Sequence, residues 1–148
     1  MAIARGAGTE IIRTHLFEDV GGEQNLIIGV QHHIYTVLSI TVYCVALNAT
    51  TDNLQCRVKG WDNVNGASAQ SLWLFEQNIQ VGETFVWNDK FSFNGCEPTG
   101  MSAALDTVAE QDAIADQGTA TPQYLFMNVT HGSDRFDVIC TFIDQNNS

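Results

Sequence analysis

The residues best suited to hold a transition metal, or to move a proton near neutral pH, are the four histidines His15, His32, His33 and His131. Only His32 and His33 are neighbours. On an extended strand their rings leave opposite faces, so one metal needs His15 or His131 brought alongside. The plainer reading is a polar entry to the long apolar stretch that follows. A second cluster is acidic: Glu97, Asp106, Glu110, Asp112 and Asp116 crowd one segment. Glycoside hydrolysis needs two carboxylates about 5–9 Å apart in a cleft. Calcium needs oxygen ligands, but the segment lacks the spacing and central glycine of an EF-hand loop. A solvated acidic face accounts for it. His131-Gly132-Ser133-Asp134 gathers the residue types of a hydrolase triad, yet four consecutive positions read as a tight turn. No G-x-S-x-G, G-x-G-x-x-G or Walker loop occurs. The sequence therefore assigns no catalytic residue, no cofactor and no metal, and the expectation is a protein that is not an enzyme.

Trp61, Trp73 and Trp87 lie in or beside strand-like runs. Exposed, they would form a stacking platform for sugars, as in a carbohydrate-binding module. Tryptophan is also enriched in cores and at the anchors of protein interfaces, and that reading is favoured. Cys44, Cys56, Cys96 and Cys140 show no C-x-x-C spacing, so neither a zinc site nor a redox motif is expected. Three fall in strand patterns, where a free cysteine acts as a small buried hydrophobe, and Cys96 is expected in a more exposed loop. Residues 1–8 contain no apolar signal-peptide core, and no run reaches the roughly 18 apolar residues of a membrane helix. Synthesis in a cytosol, without disulfides, is the expectation. The triplets beginning at Asn48, Asn128 and Asn146 match glycosylation sequons but carry no weight there.

The elements that must position these residues are mostly strands. Ile34–Leu47 is dense in β-branched and aromatic residues. Both of its alternating faces are apolar or small, so it reads as a central strand covered on both sides, with a bend near Ser39. Leu54–Trp61 alternates apolar Leu54, Cys56 and Val58 with polar Gln55, Arg57 and Lys59, and the six-residue turn before it predicts a hairpin with the long strand. Further strands are expected at Ile11–Phe17, Leu72–Phe75, Thr84–Trp87, Phe91–Phe93, Tyr124–Thr130 and Phe136–Ile143. Gly21-Gly22, Asn65-Gly66 and Val81-Gly82 mark turns. Residues 103–117 hold helix formers with a thin apolar side ending at Gly118, a short surface helix. The organisation read is an extended arm over residues 1–9, then a mainly β domain over 10–148. That domain is a β-sandwich or jelly roll of about eight strands, with one helical insertion at about 95–122.

Charge narrows the partners. Six Lys and Arg stand against seventeen Asp and Glu, a formal net charge of -11. The cations are scattered, so the basic patch that neutralises phosphates is missing and nucleic-acid binding is not expected. Charged residues are 16% of the chain against a typical ~25%. Charge-poor surfaces suit protein packing on protein.

One resemblance joins these features. Ile34-Tyr35-Thr36-Val37-Leu38-Ser39-Ile40-Thr41-Val42, the run Val81-Gly82-Glu83-Thr84-Phe85-Val86-Trp87-Asn88-Asp89-Lys90-Phe91 and the closing Phe136-Asp137-Val138-Ile139-Cys140-Thr141-Phe142 resemble the small β-sandwich virion proteins of tailed bacteriophages. The similarity covers roughly residues 26–93 and 124–144, and the acidic stretch 95–123 departs from it. It implies a capsid decoration (cement) protein located in the virion and made in the host cytoplasm. The implied partners are the major capsid protein, other virion proteins and copies of itself, as a homotrimer. A tail, neck or fibre component is the alternative within that class. Ile3 and Arg5 of the arm, Trp61, Trp73 and Trp87, and Glu97, Leu105 and Val108 of the insertion are the expected contact residues.

Overall fold

The computed structural model describes residues 9–60, 70–96, 106–109, 111 and 122–146. The expected contact residues Ile3, Arg5, Trp61, Glu97 and Leu105 lie outside that set, as does most of the expected helix. Among the described residues are nine strands: β1 (Thr9–Val20), β2 (Gln24–Ile28), β3 (His33–Ala46), β4 (Leu54–Gly60), β5 (Gln70–Gln77), β6 (Thr84–Trp87), β7 (Phe91–Asn94), β8 (Tyr124–Val129) and β9 (Arg135–Asn146). They form two antiparallel sheets. The first runs β1-β9-β3-β6, with β7 also paired to β3, and the second runs β2-β8-β4-β5. The chain is mainly β, as its composition predicts.

The core lies between the inner faces of the two sheets. Phe136, Val138, Cys140 and Phe142 of β9 are fully buried and alternate with outward residues, as the sequence pattern predicts. They meet Leu54 and Cys56 of β4 and Leu125 and Met127 of β8 across the core. Burying a large apolar side chain contributes about 1.5–3 kcal/mol, so this seam helps to drive the closing of the sandwich.

Three expectations about the long strand are corrected. First, β3 does not follow one parity. Tyr35 and Val37 are buried at its start, but Ile40, Val42 and Cys44 are buried after it, and the ladder to β9 slips between Val37 and Ser39. This bulge, at the position where a bend was expected, inserts one residue and swaps the faces. The opposite neighbour breaks at the same level: β6 ends its pairing at Ile40–Trp87 and β7 resumes at Val37–Phe91. Second, β3 is covered on one side only, since Tyr43 and Val45 point outward and are exposed. Third, β3 and β4 form no hairpin. Both long edges of β3 are taken by β9 and by β6 and β7, so the chain crosses to the other sheet, which lets two one-sided strands face each other through the core. A further strand not expected from the sequence, β2, sends Leu26 and Ile27 into the core.

Cys96 is 2% exposed, not the accessible loop cysteine expected. It bridges Pro122. Beside that bridge, main chain crowds main chain. The Gly29 amide donates to the Gln123 carbonyl, the Gln123 amide to Gly95 and the Gly95 amide to His33, each at 2.8 Å. A Cβ on Gly95 would overlap the Val30 carbonyl, so the close approach requires glycine. All four cysteines are free and buried.

Candidate protein-binding face

The outer face of the first sheet is built by strict cross-strand register. Leu16 of β1 sits opposite Ile139 of β9, Ile139 opposite Thr41 of β3, and Thr41 opposite Val86 of β6. A parallel row runs Ile12, Ile143, Thr36, Ser92. Between them lie Thr14, Thr141 and Ser39. Thr36 and Ser92 join their hydroxyls at 2.8 Å, which satisfies polar groups within the face. Ile12 is 69% exposed, Leu16 58% and Val86 52%. No lysine or arginine stands in these rows. Antiparallel sheets with one solvated face normally place polar residues outward. Here aliphatic side chains alternate with serine and threonine hydroxyls and no charge stands among them, and interface cores are depleted of charge in the same way.

This face was missed at the level of sequence because apolar residues on both faces of β3 look like double burial. Glu10, Ile12, Thr14 and Leu16 also alternate with Ile11, Arg13, His15 and Phe17, and neither set is decisively polar.

The inner side of the β1 edge is polar and fully committed. It borders a groove of about 530 Å³ between β1 and β2, lined by Arg13, His15, Asn25, Leu26, Tyr35 and Phe142 among others. Arg13 donates to Asp144 Oδ2 at 3.0 Å, and His33 Nδ1 meets Asp144 Oδ1 at 2.6 Å. His15 Nδ1 lies 2.8 Å from the Leu26 carbonyl, and its Nε2 lies 3.2 Å from Arg13 Nη2. A carbonyl and a guanidinium as partners select the Nδ1–H tautomer, with Nε2 accepting. Neither nitrogen is left for a metal or a substrate. The Tyr35 hydroxyl accepts the Val30 amide at 3.1 Å, and burial, then Asp144, pushes its ionisation up to about 12. Burial likewise pushes the Cys140 thiol up to about 12 and raises those of Cys44 and Cys56. Thiols so placed are poor nucleophiles.

The paired histidines do not combine into a site. His32 occupies a turn with a positive φ of 67°, while His33 is bound to Asp144. His131–Asp134 is a turn closed by the Asp134 amide on the His131 carbonyl at 3.0 Å. Among the described residues, Asp52, His131 and Asp134 bring three ligand-type atoms within 4.8 Å of one another.

Of the expected contact residues that are described, Trp73 and Val108 are exposed, at 43% and 73%. The Arg57 guanidinium lies 3.5 Å from the Trp73 ring centre, a cation–π contact that covers one face of the ring. Trp87 follows the favoured core reading: it points inward, stacks on Phe75 at 5.5 Å and packs against the core. Its place on the inner face follows from pairing with Ile40, just past the β3 bulge.

No protein-family description and no curated protein matches the chain. Among solved structures, it is similar to a chain from a work entitled "Bacillus endospore appendages form a novel family of disulfide-linked pili", with a TM-score of 0.41 and 7% identity, covering 100% of this chain and 96% of that chain.

Proposed function

We propose that this chain is a non-catalytic structural subunit that works by packing the outer face of its first sheet on other proteins. The observation that carries the reading is the pair of exposed rows, Leu16–Ile139–Thr41–Val86 and Ile12–Ile143–Thr36–Ser92, free of any cation. Interface cores are depleted of charge in the same way. The setting we infer is the virion of a tailed bacteriophage, as a capsid decoration protein on the major capsid protein, arranged as trimers. That setting rests on the sequence resemblance, and the strand order supports it. With β6 and β7 filling one position along β3, the orders 1-9-3-6 and 2-8-4-5 fit an eight-position jelly roll, an architecture used by viral capsid domains. A tail, neck or fibre position is the alternative within the virion.

The test is Ile139→Lys, which places a charge in the centre of the outer face and leaves the core untouched. The variant keeps the wild-type circular dichroism spectrum and loses its place on purified particles. Wild-type occupancy on particles would refute the assignment of this face.

A further inference from the structure

Two loops at one end of the sandwich carry a group that the outer face does not use. Both cross between the sheets: β3 to β4 contributes Asp52, and β8 to β9 contributes His131 and Asp134. Hydrogen bonds already join them. The Asn53 amide donates to Thr130 Oγ1 at 2.9 Å, and the Asn48 amide to Asp134 Oδ1 at 2.8 Å. The Asp52 carboxylate accepts the Ala49 amide at 2.9 Å.

Asp134 is 0% exposed, and its second oxygen, Oδ2, accepts no hydrogen bond. A buried carboxylate oxygen without a donor is costly and calls for an ion, a proton or water. The nearby guanidinium does not serve it, since Arg135 Nη1 goes to the main-chain carbonyls of Gly132 and Asp134. Instead the Asp52 carboxyl stands beside it. One oxygen of each aspartate and one ring nitrogen of His131 lie within 4.8 Å of one another.

We propose that Asp52, His131 and Asp134 bind a divalent first-row transition cation of the zinc type, which staples the two crossovers together. The imidazole is the discriminating ligand. Calcium and magnesium take oxygen, whereas zinc accepts imidazole and carboxylate together. A tetrahedral ion with bonds of about 2.1 Å holds its ligand atoms about 3.4 Å apart, so the three close by no more than roughly 1.4 Å. Three protein ligands leave a fourth position for water. His131 is exposed, and its Nδ1 accepts the Ser133 amide at 3.1 Å. The site is independent of the protein-binding reading and stands or falls separately.

The experiment titrates zinc chloride into the untagged, chelator-stripped full chain by calorimetry, with thermal melts in zinc and in EDTA. One equivalent binds, and zinc raises the melting temperature. His131→Gln weakens binding at least tenfold without changing the melting temperature in EDTA, because the residue is exposed. Asp134→Asn removes binding, and in EDTA it melts no lower than wild type, since the amide can donate to Asp52. No saturable binding near one equivalent would show that the aspartates share a proton instead. Zinc binding unchanged in His131→Gln would place the ion elsewhere. Either result overturns the proposal, and His131→Gln decides it even if Asp134→Asn fails to fold.

Discussion

Replacing Asp144 by alanine probes the network that fixes the β1 edge, and its cost follows from the geometry. Asp144 is 3% exposed on β9 and binds Arg13 of β1 at 3.0 Å and His33 of β3 at 2.6 Å, so one carboxylate ties three strands. A hydrogen bond to a charged group contributes about 1.5–3 kcal/mol, and two lost bonds give about 3–6 kcal/mol. The upper end does not apply, because the Arg13 side chain is 42% exposed and regains water when released. His33, at 20%, regains less. We expect a loss of about 2–4 kcal/mol in urea unfolding followed by circular dichroism. Arg13→Ala leaves Asp144 buried with His33 alone and costs about 1.5–3 kcal/mol. The double variant loses less than the sum of the two, by about 1 kcal/mol or more, because the pair shares one interaction. A cost below about 0.5 kcal/mol for Asp144→Ala, the range of ordinary surface changes, would refute the view that this network holds the edge strand in place.

Other perturbations have equally definite outcomes. Gly95→Ala drives a methyl onto the Val30 carbonyl and should cost at least about 1–3 kcal/mol in the same assay, while Gly22→Ala, in open space, should stay within about 0.5 kcal/mol of wild type. Thiol titration should find no reactive cysteine in the native chain and all four in denaturant; rapid native labelling of Cys96 would contradict its burial. Stability should fall as pH rises from about 10 towards 12. Unfolded Tyr35 then ionises while the folded phenol, pushed up to about 12, largely keeps its proton, which removes roughly 2 kcal/mol by the top of that window. The raised thiol of Cys140 acts in the same direction from its ordinary value of 9.0 upward, and urea midpoints that stay flat between pH 9 and 11.5 would contradict both.

The strands were legible where one face is plainly apolar. Phe136, Val138, Cys140 and Phe142 alternate with outward residues in the sequence and in the sandwich alike. Pairing was not legible, because a short polar turn is compatible with a hairpin and with a crossover, and only the filling of both β3 edges decides between them. The β3 bulge also escaped a strict period of two. The outer face was hidden because exposure cannot be told from burial when both faces of a strand carry apolar residues. The Asp52–His131–Asp134 group was half visible. His131 and Asp134 stand out as a turn, but Asp52 joins them only through a crossover that sequence spacing does not reveal.

The most direct test of the structural-subunit reading is the copy number and location of this chain in purified phage particles, by quantitative mass spectrometry with electron microscopy. A capsid decoration protein gives a count near that of the major capsid protein, with density on the shell lying against the outer face of the first sheet. Complete absence of the chain from particles would contradict it.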